Sequence, residues 1–176
     1  AKVLPVKSVG VQGDERTYRH PVVIDPVSGH DWTALRKLSP KLTNAFSDIN
    51  RILVKVAVRD GETVDQVSVT PGYLTPERIQ KLQDADKLVM NFIYANDPDG
   101  LVWQFPTVLL PLSVNSEGGE SIVLRPVSST EAMTANFTEL DWDKVQALGQ
   151  DILKIPGITA VFYDITNKPP GTIEWE

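Results

Sequence analysis

Residues that could contact a phosphate and sugar hydroxyls lie near both ends of the chain. Near the C-terminal end, Lys168 precedes two prolines and the segment Gly-Thr-Ile-Glu-Trp-Glu. Near the N-terminal end, Gly10-Val-Gln-Gly13 is followed by Asp14, and Arg16 lies two residues further on. The proline rings hold φ at roughly −65° and restrict the preceding residue to extended backbone, so Lys168 is presented at a defined angle. Cationic side chains can neutralise a phosphate, and a carboxylate can accept hydrogen bonds from hydroxyls.

Each of these signals also has an ordinary structural interpretation. Asp14 and Arg16 could form a solvated turn, and Lys168 could be a surface lysine. One lysine–phosphate contact at ~4 Å contributes about 1 kcal/mol in water and about 4 kcal/mol at an effective dielectric near 20. Several donors must therefore converge to make a site. Gln104 lies within an apolar extended stretch and is either a satisfied structural amide or a ligand donor.

Other kinds of chemistry find little support in the sequence. The glycine segment lacks the third glycine of a dinucleotide fingerprint. Glu174 and Glu176 flank a tryptophan with no neighbour that would raise a pKa, which argues against an acid/base pair. The chain has no cysteine, and His20 and His30 have no companion ligands at metal spacing. We therefore predict no catalytic residue and no metal site within these residues.

Composition limits the partners of the chain. The 176 residues are 41% hydrophobic, enough for a real core, and carry a formal net charge of −6. An acidic balance argues against nucleic-acid binding by counterion release. There is no run of about 18 apolar residues and no basic leader, which predicts no membrane contact and a cytoplasmic location. Because residue 1 is alanine and extended structure begins at once, we predict a fragment of a longer polypeptide.

Apolar spacing and capping residues predict three helices. The first begins at Trp32 and continues towards residue 49, but Pro40 interrupts it, so it is one kinked helix or two short ones. The second has Thr75 as its N-cap and proline at its first position. The third has Asp141 as its N-cap and ends near Pro156.

A strand, helix, strand pattern occurs twice. The extended segments 19–24 and 122–127 each precede a helix that begins with Asp-Trp, and the strands 52–58 and 158–165 follow those helices. This similarity indicates an internal repeat, and the alternative is that an α+β protein repeats such elements by chance.

The repeat predicts an α+β fold made of two similar small subdomains. Each would be a mostly antiparallel sheet with helices packed on one face, leaving the other face free for a partner or ligand. We place the first at residues 1–118, comprising the N-terminal strand and an inserted α+β unit. The second, at 119–176, would carry the C-terminal tail.

Several motifs together resemble the C-terminal region of GMP synthetase. They appear in the expected order and reach the last residue: Leu4-Pro-Val-Lys-Ser-Val-Gly-Val-Gln-Gly-Asp14, Arg125-Pro-Val, Met133-Thr-Ala135, Pro156-Gly-Ile158, Tyr163-Asp-Ile165 and Lys168-Pro-Pro-Gly-Thr-Ile-Glu-Trp-Glu176. The resemblance is specific over residues 1–18 and 120–176. The roughly one hundred residues between them are similar to the insertion of the long form of this family.

The resemblance implies a part in making GMP from xanthosine monophosphate (XMP), ATP and glutamine-derived ammonia. In that family an amidotransferase domain releases the ammonia and an ATP pyrophosphatase domain adenylylates the purine. ATP and Mg²⁺ would be bound there, and no cofactor is expected in this chain. The C-terminal region contacts XMP and dimerises, so the implied partners are XMP, the two other domains and a possible homodimer mate. The chain alone would then be inactive.

The resemblance also implies a set of XMP-binding residues: Asp14, Arg16, Gln104, Lys168, Thr172, Ile173 and Glu174. Lys168, Arg16 and the Gln104 amide would meet the phosphate, and Asp14 and Glu174 would accept from ribose hydroxyls.

Backbone N–H groups around Thr172 and Ile173 would complete the phosphate site. The set requires Lys168 and Glu174 to lie near Asp14 and Gln104. The alternative is a purely structural domain in which the tail is only a packing strap.

Overall fold

Strands and helices alternate along the parts of the chain that the computed structural model describes, which are residues 1–13, 15–26, 30–131 and 133–176. The three helices are α1 (Trp32–Ala45), α2 (Pro76–Asn96) and α3 (Trp142–Leu153). The strands are β1 (Lys2–Val3), β2 (Ser8–Gln12), β3 (Glu15–Ile24), β4 (Ile49–Val58), β5 (Val67–Val69), β6 (Thr107–Leu110), β7 (Leu112–Val114), β8 (Glu120–Leu124), β9 (Val127–Ser128), β10 (Asn136–Phe137) and β11 (Ile158–Asp164).

One seven-stranded mixed sheet organises the described residues. Its order is β1-β3-β4-β11-β8-β6, and β2 pairs with β3 beside this path. Strand β4 is parallel to β3, β11 is parallel to β8, and β4 and β11 are antiparallel to each other. The predicted α+β class is confirmed. The expectation of two separate sheets is wrong, because pairing of β4 with β11 covers an edge of each unit that would otherwise be left open.

The predicted strand, helix, strand repeat is present in three dimensions. One unit is β3-α1-β4 and the other is β8-α3-β11, each with its two strands parallel and adjacent. Asp31 and Asp141 are the N-caps of the two helices, and each carboxylate accepts a backbone N–H of the first turn. The rings of Trp32 and Trp142 lie 5.7 Å apart at 90°. The repeat therefore brings the two helix starts together. The proposed boundary at residue 118 stays a prediction.

Helix α1 is one continuous helix that contains Pro40. It ends at Ala45, because the backbone of Phe46 is extended (φ −122°, ψ 110°) while its N–H still donates to the Leu42 carbonyl. Phe46 is 53% exposed and Ile49 begins β4, so neither belongs to the apolar face of the helix. The prediction that the periodic apolar face reaches residue 49 is wrong, since that pattern runs across a helix end into a strand.

The helices pack on one face of the sheet. Residues from α1, α2 and α3 form a core cluster with alternate residues of the strands, including Ile52, Val54, Ile122 and Tyr163. In the described parts of the chain, none of the helices combines the length and apolar character needed to cross a bilayer.

The opposite face of the sheet is also covered. A second cluster there joins Leu53, Val123 and Phe162 to Leu4, to residues of β6 and β7, and to Trp175 of the C-terminal tail. The expectation of a free second face is therefore wrong. This face is where both ends of the chain meet the sheet.

Candidate functional site

The C-terminal tail, residues 168–176, lies alongside β2. The Val11 N–H donates to the Pro170 carbonyl (2.7 Å), the Val9 N–H donates to the Trp175 carbonyl (3.1 Å), and Gly10 and Gly171 form an antiparallel bridge. Backbone hydrogen bonds therefore join the two ends of the chain.

Strand β2 is held in place by a buried polar pair. The Ser8 hydroxyl donates to Asn50 Oδ1 and the Asn50 Nδ2 donates to the Ser8 carbonyl, both at 2.7 Å. A Cβ atom on Gly10 would lie 2.8 Å from the Pro170 carbonyl oxygen and 2.9 Å from Asn50 Nδ2. Glycine is therefore required at position 10 for close approach of the tail, rather than for approach of a ligand to the backbone.

Gly10→Ala is expected to destabilise the chain by about 1–3 kcal/mol, since the added methyl group overpacks a site bounded by backbone. Urea unfolding measures the change. The matched control is Val11→Ala, which changes the half-buried neighbour on the same strand without adding a clash. If Gly10→Ala were no less stable than wild type, the tail would not pack against β2 as described.

A row of three charged side chains lies beneath the tail. Arg51 of β4, Asp164 of β11 and Arg125, which follows β8, all have fully buried side chains. Arg51 Nη1 lies 2.8 Å from Asp164 Oδ2, and Arg125 Nη1 lies 3.1 Å from the same oxygen. One carboxylate therefore bridges two guanidinium groups on the covered face of the sheet.

The protonation states of this row follow from burial and pairing. Burial lowers the pKa of Arg51 to about 9, against the effect of Asp164, and it also lowers the pKa of Arg125. Burial alone would raise the pKa of Asp164, but Arg125, Arg51 and Thr166 together hold it below its ordinary value. Because a guanidinium keeps its proton in proteins and the Asp164 carboxylate lies between two of them, the row carries a net charge of +1 at neutral pH.

Both arginines hold the tail through its backbone. Arg51 Nη2 donates to the Thr172 carbonyl (3.0 Å) and to the Thr172 hydroxyl (2.7 Å). Arg125 Nε donates to the carbonyls of Thr172 (3.0 Å) and Ile173 (2.9 Å). The Thr172 hydroxyl in turn donates to the Val9 carbonyl (3.2 Å). The polar groups of Thr172 on this side are therefore used inside the protein.

Trp175 anchors the end of the tail. It is 6% exposed, its Nε1 donates to Asp164 Oδ2 (2.9 Å), and the Arg51 guanidinium carbon lies 4.7 Å from its ring centroid. The indole therefore combines apolar burial, a charge-assisted hydrogen bond and a cation–π contact.

The described site residues fall into two groups, one beside β2 and at the end of the tail and the other at the β9–β10 pair. Asp14 lies outside the described residues. Arg16 is exposed on β3, where it pairs with Val11 of β2, so β2 lies between Arg16 and the tail. Thr172 and Ile173 are half-buried in the tail, and Glu174 is exposed there.

Gln104 and Lys168 are linked through the β9–β10 pair. The backbone of Gln104 exchanges hydrogen bonds with Val127 of β9 (2.8 and 3.2 Å), and Val127 pairs with Phe137 of β10. Ala135, just before β10, exchanges backbone hydrogen bonds with Lys168 (2.8 and 3.1 Å). Both side chains are half-buried. This arm connects the Gln104 segment to the start of the tail.

An open pocket of about 560 Å³ adjoins the junction of β2 and the tail. Its walls include Val11, Gly13, Arg19, Pro169 and Pro170. The pocket therefore lies between the glycine segment near the N-terminus and the two prolines that follow Lys168. Its walls also include residues at the end of α1, but none of the predicted site residues that the structure describes.

Sequence reasoning assigned no role to the residues that hold the tail, which are Arg51, Arg125, Asp164 and Trp175. Arg125, Asp164 and Trp175 belong to motifs that carry the resemblance. The sequence offers one indication of the three charged residues. Each adjoins a run of apolar residues typical of a buried strand, where an unpaired charge is rare.

Comparison with known proteins places the chain in one family. The model described as "GMP synthase C terminal domain" matches residues 1–66 and 91–175. The interval between the matched segments, residues 67–90, is shorter than the insertion of about one hundred residues expected from the motifs.

Curated relatives agree with the family model. A protein of Leptospira interrogans named as a probable glutamine-hydrolyzing GMP synthase is 42% identical over 175 residues, covering 99% of this chain and 28% of that protein. Two further relatives are the GMP synthases of Corynebacterium glutamicum strain R, 42% identical over 113 residues, and of Flavobacterium psychrophilum, 40% identical over 112 residues. Each match covers 60% of this chain and 22% of the relative. The chain thus spans about a quarter of the length of these relatives, and it belongs to the family of GMP synthase C-terminal domains.

Proposed function

We propose that this chain is the C-terminal part of a glutamine-hydrolysing GMP synthase and that it binds XMP where its two ends meet. The observation that carries the proposal is the pairing of Gly10 and Val11 with Pro170 and Gly171. Val11 has Arg16 on one side and Pro170 on the other. With neighbouring strands about 4.8 Å apart, Arg16 and Pro170 have backbones roughly 10 Å apart.

Lys168 lies two residues before Pro170 in the tail, and Arg16 lies on the other side of β2. If both long cationic side chains reach one phosphate from these positions, together they would offset the charge of a phosphate monoester. The Gln104 amide would add a neutral donor from the β9–β10 arm. Asp14 and Glu174 would accept hydrogen bonds from the ribose hydroxyls.

The chemistry of the reaction would belong to the rest of the polypeptide. An amidotransferase domain would supply ammonia from glutamine, and an ATP pyrophosphatase domain, with ATP and Mg²⁺, would activate the purine oxygen that ammonia replaces. This chain would hold the XMP phosphate and ribose against that domain and would also supply a homodimer surface. We assign it no catalytic residue.

Lys168→Ala in the full-length enzyme is expected to raise the KM for XMP about 10- to 100-fold, the loss of a charge-assisted contact of about 1.5–3 kcal/mol. Steady-state kinetics with XMP varied, together with direct titration of XMP, measure the change. The control is Lys154→Ala, which removes a lysine at the end of α3 that is 77% exposed and, among the described residues, forms an ion pair only with Asp151. Unchanged XMP affinity in Lys168→Ala would contradict the phosphate role.

One observation favours the alternative of a structural domain. The hydroxyl and carbonyl of Thr172, the carbonyl of Ile173 and the indole of Trp175 are all engaged inside the protein, as expected of a packing strap. The two functions differ in what Glu174→Gln does. A ribose contact predicts weaker XMP binding at unchanged stability, whereas a strap predicts no change in either quantity.

A further inference from the structure

The orientation of two peptide groups in the tail points to a role for the buried arginines. The carbonyls of Thr172 and Ile173 both accept from Arg125 Nε, so both oxygens point inward at one nitrogen. The peptide bonds that contain these carbonyls are trans, and in a planar trans peptide the N–H points opposite to the C=O. The N–H groups of Ile173 and Glu174 therefore point away from Arg125. In the described part of the chain neither finds an acceptor.

The charge beneath these peptide groups is not balanced. Arg51 and Arg125 share the single carboxylate of Asp164. Arg51 Nε and Arg125 Nη2 are buried and have no hydrogen-bond partner. Among the described residues the other buried acid is Glu120, which is paired with Arg78 and Lys81.

Among the described residues no second carboxylate pairs with these arginines, and backbone carbonyls accept from them instead. Two of these carbonyls belong to Thr172 and Ile173 of the tail, and the others belong to Val9 and Thr166. A guanidinium that donates to a carbonyl polarises the whole peptide group, and in a low-dielectric interior this strengthens the donor at the other end. Two outward N–H groups on adjacent residues form the kind of concavity that binds anions.

We infer that Arg51 and Arg125 are positioning residues for the XMP phosphate, acting through the Thr172–Ile173 and Ile173–Glu174 peptide groups. The inference rests on the proposed function and sharpens it in one respect. The backbone donors are the N–H groups of Ile173 and Glu174, rather than those of Thr172 and Ile173. A phosphate monoester carries a charge of about −1.5 to −2 near pH 7, so it is the group that responds to charge delivered through the tail.

The test separates the phosphate from the nucleoside. In the full-length enzyme, the Kd values of XMP and of xanthosine, which lacks the phosphate, are measured for wild type, Arg125→Gln and Arg125→Lys. The Kd of xanthosine divided by the Kd of XMP reports the phosphate contribution alone. Trp175→Phe is the matched control, since it loosens the tail by removing the indole donor to Asp164 without changing the buried charge.

Arg125→Gln is expected to reduce the ratio by up to about tenfold, which is the effect of losing one direct charge-assisted contact, while the xanthosine Kd changes less than twofold. Arg125→Lys should restore most of the ratio, because it keeps the charge. Trp175→Phe should weaken both ligands equally and leave the ratio unchanged.

A second readout uses ³¹P NMR titration of bound XMP. The excess positive charge should hold the pKa of the bound phosphate below its value of about 6 in solution, and Arg125→Gln should move it back towards that value. The inference is overturned if Arg125→Gln weakens XMP and xanthosine equally, or if the phosphate pKa does not move. If wild type shows no preference for XMP over xanthosine, the proposed function itself fails, which is a different result. Should Arg125→Gln not fold, Arg125→Lys and the wild-type phosphate pKa still decide the matter.

Discussion

Replacing Asp164 by alanine is expected to destabilise the protein by about 3–5 kcal/mol, the effect of removing one partner from a buried ion pair. The variant leaves Arg51 and Arg125 fully buried with no carboxylate between them. It also removes the acceptor of the Trp175 indole. Urea unfolding followed by circular dichroism measures the loss, and a lower unfolding midpoint with an unchanged slope would show that stability alone has changed.

The matched control for this variant is Asp151→Ala. Asp151 also pairs with a cation, Lys154 at 2.6 Å, but its side chain is 54% exposed. Exposed pairs contribute about 0–1 kcal/mol because water and salt screen them. Equal effects of Asp164→Ala and Asp151→Ala would contradict the central place given to the buried row.

The same carboxylate predicts how stability depends on pH. Since the pKa of Asp164 is lower in the folded chain than its ordinary value of 3.8, the unfolded state binds the proton more readily. The stabilisation is therefore fully present above 3.8 and is lost as the pH falls through the folded pKa. Wild type should lose stability in this acid range more steeply than Asp164→Ala does.

Much of the fold could be predicted because the signals are local. The N-caps Thr75, Asp31 and Asp141 each mark a helix start in the structure. A carboxylate or hydroxyl at a cap bonds only to the next few residues, so its effect does not depend on the rest of the chain. The Asp-Trp repeat was informative for the same reason, and it correctly indicated two strand, helix, strand units.

The association of the two units could not be predicted in this way. Whether β4 and β11 lie in one sheet or two depends on pairing across about one hundred residues, which no local pattern records. The error about Phe46 has a related cause. An apolar residue continues a helical period and equally begins a strand, so periodicity alone cannot place the boundary.

One feature of the candidate site, the meeting of the two chain ends, could be predicted. The resemblance implies site residues near both ends of the chain, and the structure joins those ends through backbone hydrogen bonds of Val9 and Val11. What the sequence could not reveal is the inner side of the tail. A tail carbonyl carries no residue-specific signal, and the pairing of Arg51 with Asp164 joins residues far apart in the chain.

The sequence indicates that the charges of the buried row need partners, but not which partners they have. Arg125 lies two residues after Val123, and Asp164 lies two residues after Phe162. Side chains two residues apart in a strand point to the same face, so both charges face the side of the sheet on which Val123 and Phe162 are buried. A charge at such a position is rarely left unpaired, and opposite charges on neighbouring strands are the natural partners. Recognising this required the strand order, which came only with the structure.

Trp175→Ala is expected to destabilise the protein by about 3–5 kcal/mol, the usual effect of removing a buried large aromatic side chain. The indole fills the covered face of the sheet beside Leu53 and Phe162, donates to Asp164 and lies over Arg51. Its loss should therefore release the tail from β2 as well as reduce global stability. Because the proposed phosphate donors lie in that tail, XMP binding should be lost together with it.

Hydrogen exchange locates the effect of this variant. The N–H groups of Val9 and Val11 donate to Trp175 and Pro170, so their exchange should accelerate most, whereas the N–H of Ile165, which donates to Ile52, should follow global stability only. Trp103→Ala is the control, since that tryptophan is 44% exposed and should change stability far less. A folded Trp175→Ala protein in which Val9 and Val11 stay protected would show that the tail is held without the indole. The joining of the chain ends would then rest on the backbone ladder and the two arginines alone.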